Sequence, residues 1–334
     1  MREMKMPRLK YYQALTRAIS EEMARDESVI LMGEDVGASG GIFAQTRGLY
    51  DAFGSTRVRD TPIAENGFVS AAVGAAMTGL RPIVEIGFED FLTCCMEPLV
   101  NQAAKLRYML GGQVTVPMVL YTFGGGGVNA GPQHSQSLAA WFAHVPGLKV
   151  IMPSTPVDLL GMMKSAIRDD NPVVCLLSKK LIGTSGDVGD PGDETLVPLG
   201  KASVRRAGRD VTIVTMGQMV QSSLAAAELL ASRGCEAEVI DLRSISPMDS
   251  SAVRASVERT GRLCVVHEAH SPFGVGSEVI AQIAETSLDR LKAPPCRVTP
   301  PFAPCPFTPS LEQIYLPSAQ RIADTVSEMM GVVA

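Results

Sequence analysis

The sequence predicts an α/β fold in two units, each a largely parallel sheet covered by helices on both faces. Three observations carry that prediction. Short, wholly apolar runs alternate with longer segments of helical period, the pattern of strand–helix–strand crossovers. One polar, Gly/Pro-rich stretch, 184–198 (TSGDVGDPGDETLVP), interrupts the alternation. The 334 residues exceed the roughly 150 of a single domain. With 46% hydrophobic against 19% charged residues they can fill large cores, which excludes a disordered chain.

Each element has its own reason. Tyr12, Leu15, Ile19 and Met23 share one face at 3.6 residues per turn, so 9–25 is expected to be an amphipathic helix. Val29–Met32 follows as an apolar strand ended by Gly33, with Glu34 and Asp35 just past its carboxyl end, where open α/β sheets place ligands. The glycine-rich 37–48 reads as a loop. Thr61-Pro62-Ile63 is extended, because a residue before proline avoids the helical region. From Asn66, GFVSAAVGAAMTGL is a helix of small residues, expected deep in a core or at a subunit contact, with Glu65 at its start. Strands are expected at Ile83–Ile86, Met118–Tyr121, Lys149–Met152 and Val173–Leu177, with helices near 92–109, 135–143 and 156–169. Past the linker come strands at Val211–Thr215, Ala237–Asp241, Leu263–His267 and Arg297–Val298, with helices at Met219–Ser232 and near 249–259, 274–288 and 318–330. Gly234 stops the first of these helices. The boundary falls near 195, giving domains of 1–190 and 198–334.

Charge and cysteine usage narrow the function classes. A net charge of −5 with no basic run argues against nucleic acid as a partner. No stretch reaches the ~18 apolar residues of a membrane span. The opening MREMKMPRLK has no apolar signal core, so secretion is not expected. Seven cysteines, odd in number and mostly within apolar runs, suggest reduced, buried thiols in a cytosol-like compartment. No CxxC pair occurs, and His267 with His270 lacks a third ligand at metal spacing.

Several motifs carry both a chemical and a bland reading. Gly124–Gly127 could cradle phosphate through backbone N–H groups, but it lacks the Walker lysine and GxGxxG spacing. The favoured reading is a tight loop passing close to another surface. Gln133-His134-Ser135-Gln136 follows it; a histidine there suits proton transfer near neutral pH, or plain hydrogen bonding. Glu65 beside an almost wholly apolar helix is a surface cap or an acid tuned by burial and a partner. Phe88, Phe91 and Cys94-Cys95 could wall a ring-shaped ligand, with core packing the default. SAIRDDNP (165–172) reads as a charged turn, and His144, His267 and His270 as core or loop residues.

Together GEDV (33–36), DTPIAENGF (60–68), AAVGAAMTGLRPIVEI (71–86), NQAAKLRYMLGG (101–112), QHSQS (133–137), PGLKVIMPS (146–154) and SAIRDDNPVV (165–174) resemble the β subunit of thiamine-diphosphate-dependent 2-oxo acid dehydrogenases. QHSQSLAAWFAHVPGLKV and ERTGRLCVVHEAH (258–270) are most similar to the acetoin dehydrogenase branch, with pyruvate and branched-chain enzymes as near alternatives. The resemblance spans about 9–330 and implies a transketolase-like pyrimidine-binding domain followed by a transketolase C-terminal domain. It implies an α2β2 heterotetramer whose α subunit holds magnesium and the diphosphate; this chain has no GDG motif of that kind. It implies cleavage of a 2-oxo acid or acetoin and passage of the acyl group to a lipoyl acyltransferase core.

By position, the resemblance makes Glu65 the acid that hydrogen-bonds N1′ of the aminopyrimidine. Glu34 and Ile63 line the cofactor site, Phe91 stacks on the pyrimidine, and His134 faces the thiazolium and the lipoyl group. Met118, Ala166, Ile167, Asp169 and Asn171 match a potassium site built largely from backbone carbonyls. Ser178, Gly87, Cys94 and the loop 122–132 depart from the family pattern and leave substrate identity open. Two other readings stay open: half of a split transketolase or deoxyxylulose-phosphate-synthase-like enzyme, and a non-catalytic scaffold of the same fold. Sugar phosphates would call for basic residues near His134, and that stretch has none.

Overall fold

The computed structural model describes residues 7–331. Its tertiary contacts divide the chain into two units. One runs through Gly124 and resumes at Trp141–Leu199; the other takes Gly125–Ala140 and everything from Gly200. The division therefore falls a few residues past the expected boundary, and 125–140 joins the second unit.

In the first unit, β1 (Arg8–Lys10) leads into α1 (Tyr11–Arg25), then β2 (Val29–Gly33), α2 (Leu49–Phe53), β3 (Val58–Asp60), α3 (Glu65–Met77) and β4 (Arg81–Phe88). After α4 (Ala104–Met109) come β5 (Val119–Gly124), α5 (Ala139–Ala143), β6 (Lys149–Ile151), α6 (Pro156–Ile167), β7 (Val173–Ser178) and β8 (Ser185–Asp187). Six strands pair in parallel in the order β6-β7-β5-β4-β2-β3. Strands β2, β5 and β7 are buried along their whole length, which is why they read as unbroken apolar runs. The direction of strand addition reverses between β2 and β4, since β3 lies on one side of β2 and β4 on the other.

Helix α1 packs Tyr11, Leu15, Ile19 and Met23 into the core under these strands. Its Glu22, 1% exposed, accepts from Arg168 Nε (3.0 Å) and Nη2 (2.7 Å) at the end of α6, and from Arg25 Nε (2.8 Å). Replacing Arg168 by Ala leaves that buried carboxylate with one partner. The expected loss is about 2 kcal/mol in denaturant unfolding, below the ~3–5 kcal/mol of a fully orphaned charge because Arg25 remains. A loss under half a kilocalorie would show that the pair contributes only as a surface bridge does.

Several elements differ from expectation. The helix expected at 92–109 is a 3-10 turn (Glu89–Cys95), a π-helical stretch (Glu97–Ala103) and α4, with Pro98 near the start of the middle piece. Of 135–143 only α5 is α-helical; a 3-10 turn at Pro132–His134 precedes it. The polar 184–198 is no free linker. β8 pairs antiparallel with β1, and Arg17 Nη1 donates to Gly189 O at 2.6 Å. Cys94 is exposed and Cys296 half-buried, whereas Cys95, Cys175, Cys235, Cys264 and Cys305 are buried; all seven are free thiols.

The second unit has β9 (Ser203–Arg206), β10 (Val211–Thr215), α7 (Met219–Ser232), β11 (Ala237–Asp241), β12 (Ser244–Ser246), α8 (Ser250–Thr260) and β13 (Leu263–Val266). It ends with α9 (Val275–Ser287), β14 (Cys296–Val298), α10 (Pro309–Tyr315) and α11 (Ala319–Met330). Its sheet runs β14-β13-β10-β11-β9, parallel except for β9, which the sequence reading missed. β9 is an edge strand with alternating exposure and two arginines, a weaker signal than a buried apolar run. Among the described residues no helix is long and apolar enough to cross a membrane.

Candidate active site

In the first unit the carboxyl ends of β2 and β4 flank the point where strand order reverses, the place where open α/β sheets bind ligands. Glu34 and Asp35 follow β2, and Phe91 follows β4 in a 3-10 turn. Thr61 N–H donates to Gly33 O at 2.9 Å, which holds the extended 61–64 segment against the end of β2. Glu65 then opens α3, where an acid is favoured by the helix dipole. Glu34, Glu65 and Phe91 thus come to one edge of one sheet. Burial, then the negative charges of Glu65 and Asp35, push the Glu34 carboxyl above the usual range. Burial, then Glu65 and Cys94, push the Cys95 thiol up to about 12, so Cys95 stays a thiol.

Glu65 is half-buried, and α3 is sunk on one face only. Phe68, Val69, Ala72, Val73 and Ala76 pack inward, while Gly67, Ser70, Ala71 and Gly74 are open. Ile63 is 82% exposed. An acid and an apolar side chain therefore stand together at an uncovered edge. Phe91 is held edge-to-face by Phe88 at 6.0 Å, and Phe88 by Phe43 at 6.2 Å, so the ring is backed by an aromatic row.

Beneath the site lies a residue the sequence reading passed over. Glu85, in β4, is 1% exposed; its Oε1 accepts from Gln45 Nε2 at 2.5 Å and its Oε2 from the Tyr121 hydroxyl. Burial raises its carboxyl to about 7, outweighing the hydrogen bonds from Tyr121 and Gln45. Gln45 Oε1 in turn accepts from Phe43 N–H at 2.8 Å, tying the glycine-rich 37–48 loop to Glu85. An acid among apolar neighbours in PIVEI was visible in the sequence as a polar break in a buried strand.

Met118, Ala166, Ile167, Asp169 and Asn171 also come together, but at the amino ends of β5 and β7, the opposite edge from Glu34 and Phe91. Arg81 Nη1 donates to Ile167 O (3.0 Å) and Asp169 O (3.1 Å), and Asn171 Oδ1 accepts from Arg107 at 2.6 Å. Burial acts to raise the Asp169 carboxyl, but Lys149 and Asn171 outweigh it and hold it below the usual range. Two carbonyls of the turn thus converge on the Arg81 guanidinium. Each carbonyl keeps a second lone pair. Among the described residues no group of three His, Cys, Asp or Glu side chains is arranged to hold a metal ion.

His134 stands on 125–140, within the second unit. There Gly125 N–H donates to Gln136 O at 3.0 Å and closes the base of a loop. The glycines have a steric cause: a Cβ on Gly125 (φ +77°) would overlap the Glu268 carboxylate, and one on Gly126 would lie 3.2 Å from Cys305 Sγ. The bland reading of the four-glycine run is the one this packing supports. His267 is buried, and burial drops its imidazole to about 4. His270 Nε2 lies 2.8 Å from both Ala303 O and the Tyr315 hydroxyl, and His144 is exposed.

Comparison with known proteins agrees with this architecture. Residues 8–184 match the family described as "Transketolase, pyrimidine binding domain", and 200–322 match "Transketolase, C-terminal domain". The chain is 45% identical over 327 residues to "Acetoin:2,6-dichlorophenolindophenol oxidoreductase subunit beta" of Cupriavidus necator, covering 95% of this chain and 96% of the relative. It is 44% identical over 322 residues to "Pyruvate dehydrogenase E1 component subunit beta, mitochondrial" of Caenorhabditis elegans, covering 96% and 92%. A solved "Split gene transketolase, inactive beta4 tetramer" superposes with a TM-score of 0.79 at 22% identity, over 97% of this chain and 99% of that one, which speaks to fold alone. The chain belongs to the transketolase-like family of β subunits of thiamine-diphosphate-dependent acetoin and 2-oxo acid dehydrogenases.

Proposed function

We propose that this chain is the β subunit of a cytoplasmic thiamine-diphosphate-dependent oxidoreductase. Paired with an α subunit in an α2β2 assembly, it cleaves acetoin or a 2-oxo acid and passes the acyl group to lipoyl groups of an acyltransferase core. One observation carries the reading: Glu65 and Ile63 stand beside Glu34 at the switch point, on a helix whose outer face of Gly67, Ser70, Ala71 and Gly74 is open. A face of that kind lets a second backbone approach closely, and it supports a site completed by the α partner.

The residues present fit an aminopyrimidine. Phe91 offers a flat apolar face with an aromatic backing, and Glu65 a carboxyl group beside a second acid whose affinity for protons is raised. When bound, thiamine diphosphate supplies a carbon nucleophile and an electron sink for breaking the C–C bond. Glu65 holds a proton at N1′, Phe91 and Ile63 orient the ring, and Glu34 lines the site. His134 delivers a proton during acyl transfer. Magnesium and the diphosphate belong to the α subunit. Potassium is proposed at the turn of Met118, Ala166, Ile167, Asp169 and Asn171, on the strength of its convergent carbonyls.

The test is lipoamide reduction by this chain reconstituted with its α partner, across acetoin, pyruvate and branched-chain 2-oxo acids, in potassium or sodium. Turnover that requires thiamine diphosphate, and falls in sodium, is the expected result. A pair that binds the cofactor yet reduces lipoamide with none of these substrates overturns the activity. Unchanged cofactor affinity on adding this chain would mark it as a scaffold. Equal rates in both salts would remove potassium alone.

A further inference from the structure

The loop that carries His134 is clamped from the second unit by side chains that no part of the reaction above employs. Its base is closed by Gly125 N–H on Gln136 O at 3.0 Å. Near the base, Gln218 Nε2 donates to Gly126 O at 3.1 Å and also to Glu268. At the far side, Glu312 Oε2 accepts the N–H of Asn129 at 2.8 Å, while its Oε1 lies 3.5 Å from Cys305 Sγ. Asn129 has a left-handed φ of +59°, so its N–H is aimed by a backbone conformation that the contact helps to hold. Gln218, Glu268, Cys305 and Glu312 are each at most 5% exposed. These are hydrogen bonds in a low-dielectric setting, two of them to carboxylates, where each is stronger than in water. His134 N–H donates to Gly131 O at 3.3 Å, and a Cβ on Gly131 would lie 3.4 Å from the Phe307 ring. A shift at Asn129 or Gly126 therefore moves the backbone of His134, only a few residues away.

We infer that Glu312, assisted by Gln218, is a positioning residue for His134: it fixes the 125–136 loop so that the imidazole meets the acyl group in one geometry. The inference rests on the proton-transfer role given to His134. Glycine at 125 is then a requirement of the clamp, because a Cβ there would overlap the Glu268 carboxylate, while one at 126 would crowd Cys305 Sγ at 3.2 Å.

The experiment compares Glu312→Ala, Glu312→Gln and Gln218→Leu with His134→Ala, in the reconstituted αβ enzyme and in the full chain by itself. Glu312→Ala should lower kcat for lipoamide reduction about tenfold to a hundredfold, the effect of displacing a catalytic group by about an ångström. KM for substrate and affinity for thiamine diphosphate should stay within about twofold. Glu312→Gln keeps an acceptor oxygen for Asn129 N–H and should restore kcat to within about threefold of wild type. Gln218→Leu should give a smaller loss. Amide hydrogen exchange in the full chain is the readout that needs no activity: the Asn129 amide should exchange at least about tenfold faster in Glu312→Ala than in Glu312→Gln. If exchange at 125–136 is the same in both, or if His134→Ala abolishes transfer while Glu312→Ala does not, the inference is wrong. If exchange responds but His134→Ala keeps wild-type transfer, the clamp stands and the role given to His134 fails. Should Glu312→Ala not fold, the same two readouts on Gln218→Leu decide, with no change in either overturning the proposal.

Discussion

Glu65→Gln is expected to abolish lipoamide reduction, by about a hundredfold to ten-thousandfold, the range for removing a general acid–base group. Glutamine preserves volume and one acceptor oxygen but cannot hold the proton at N1′. The fold should be indifferent. Glu65 is half-buried at the first residue of α3, and no side-chain cap depends on it. Loss of its charge there forgoes only about 0.3–1 kcal/mol of helix-dipole interaction. Assembly with the α subunit and thermal midpoint should match wild type, so the deficit lies in kcat. A variant retaining more than a tenth of wild-type turnover would remove Glu65 from the chemistry.

The second large effect is on stability and follows from Glu85. Its carboxyl sits at about 7 in the folded chain against an ordinary 4.5, raised chiefly by burial. Between those values the folded chain binds a proton that the unfolded chain has released. Stability therefore falls as pH rises through the window and levels off above it. At 1.36 kcal/mol per pKa unit the loss between pH 4.5 and 8 is roughly 3 kcal/mol. Glu85→Gln removes the titration and keeps the geometry: the amide oxygen accepts from Gln45 and the amide nitrogen donates to the Tyr121 oxygen. Near pH 5 the variant should match wild type, and at pH 8 it should be more stable by about 2–3 kcal/mol in denaturant unfolding. Parallel pH profiles for the two proteins would contradict the raised value. Because Gln45 ties Glu85 to Phe43, and Phe43 to Phe88, wild type above pH 7 should also lose order in the 37–48 loop.

Much of this could be seen in the order of residues. Buried parallel strands are mostly apolar, so β2, β5, β7, β10, β11 and β13 stood out, and the acids past β2 marked a ligand-binding edge. Glu65, Phe91 and His134 were reached through resemblance, because neither period nor spacing separates a tuned acid from a cap. Short edge elements escaped. β1 and β8 are three residues each and meet only across the tertiary structure, and one expected helix is three helical pieces, with Pro98 near the start of the second.

Local chemistry thus determined the apolar periodicity, the two-unit composition and the acids at strand ends, since those depend on residues adjacent along the chain. Only the tertiary structure decided that α3 is open on one face, that Glu85 is sealed beneath the site, and that Gly125 and Gly126 lie close against Glu268 and Cys305. Those properties depend on which surfaces meet, and burial, proton affinity and close approach are set by neighbours far away in sequence.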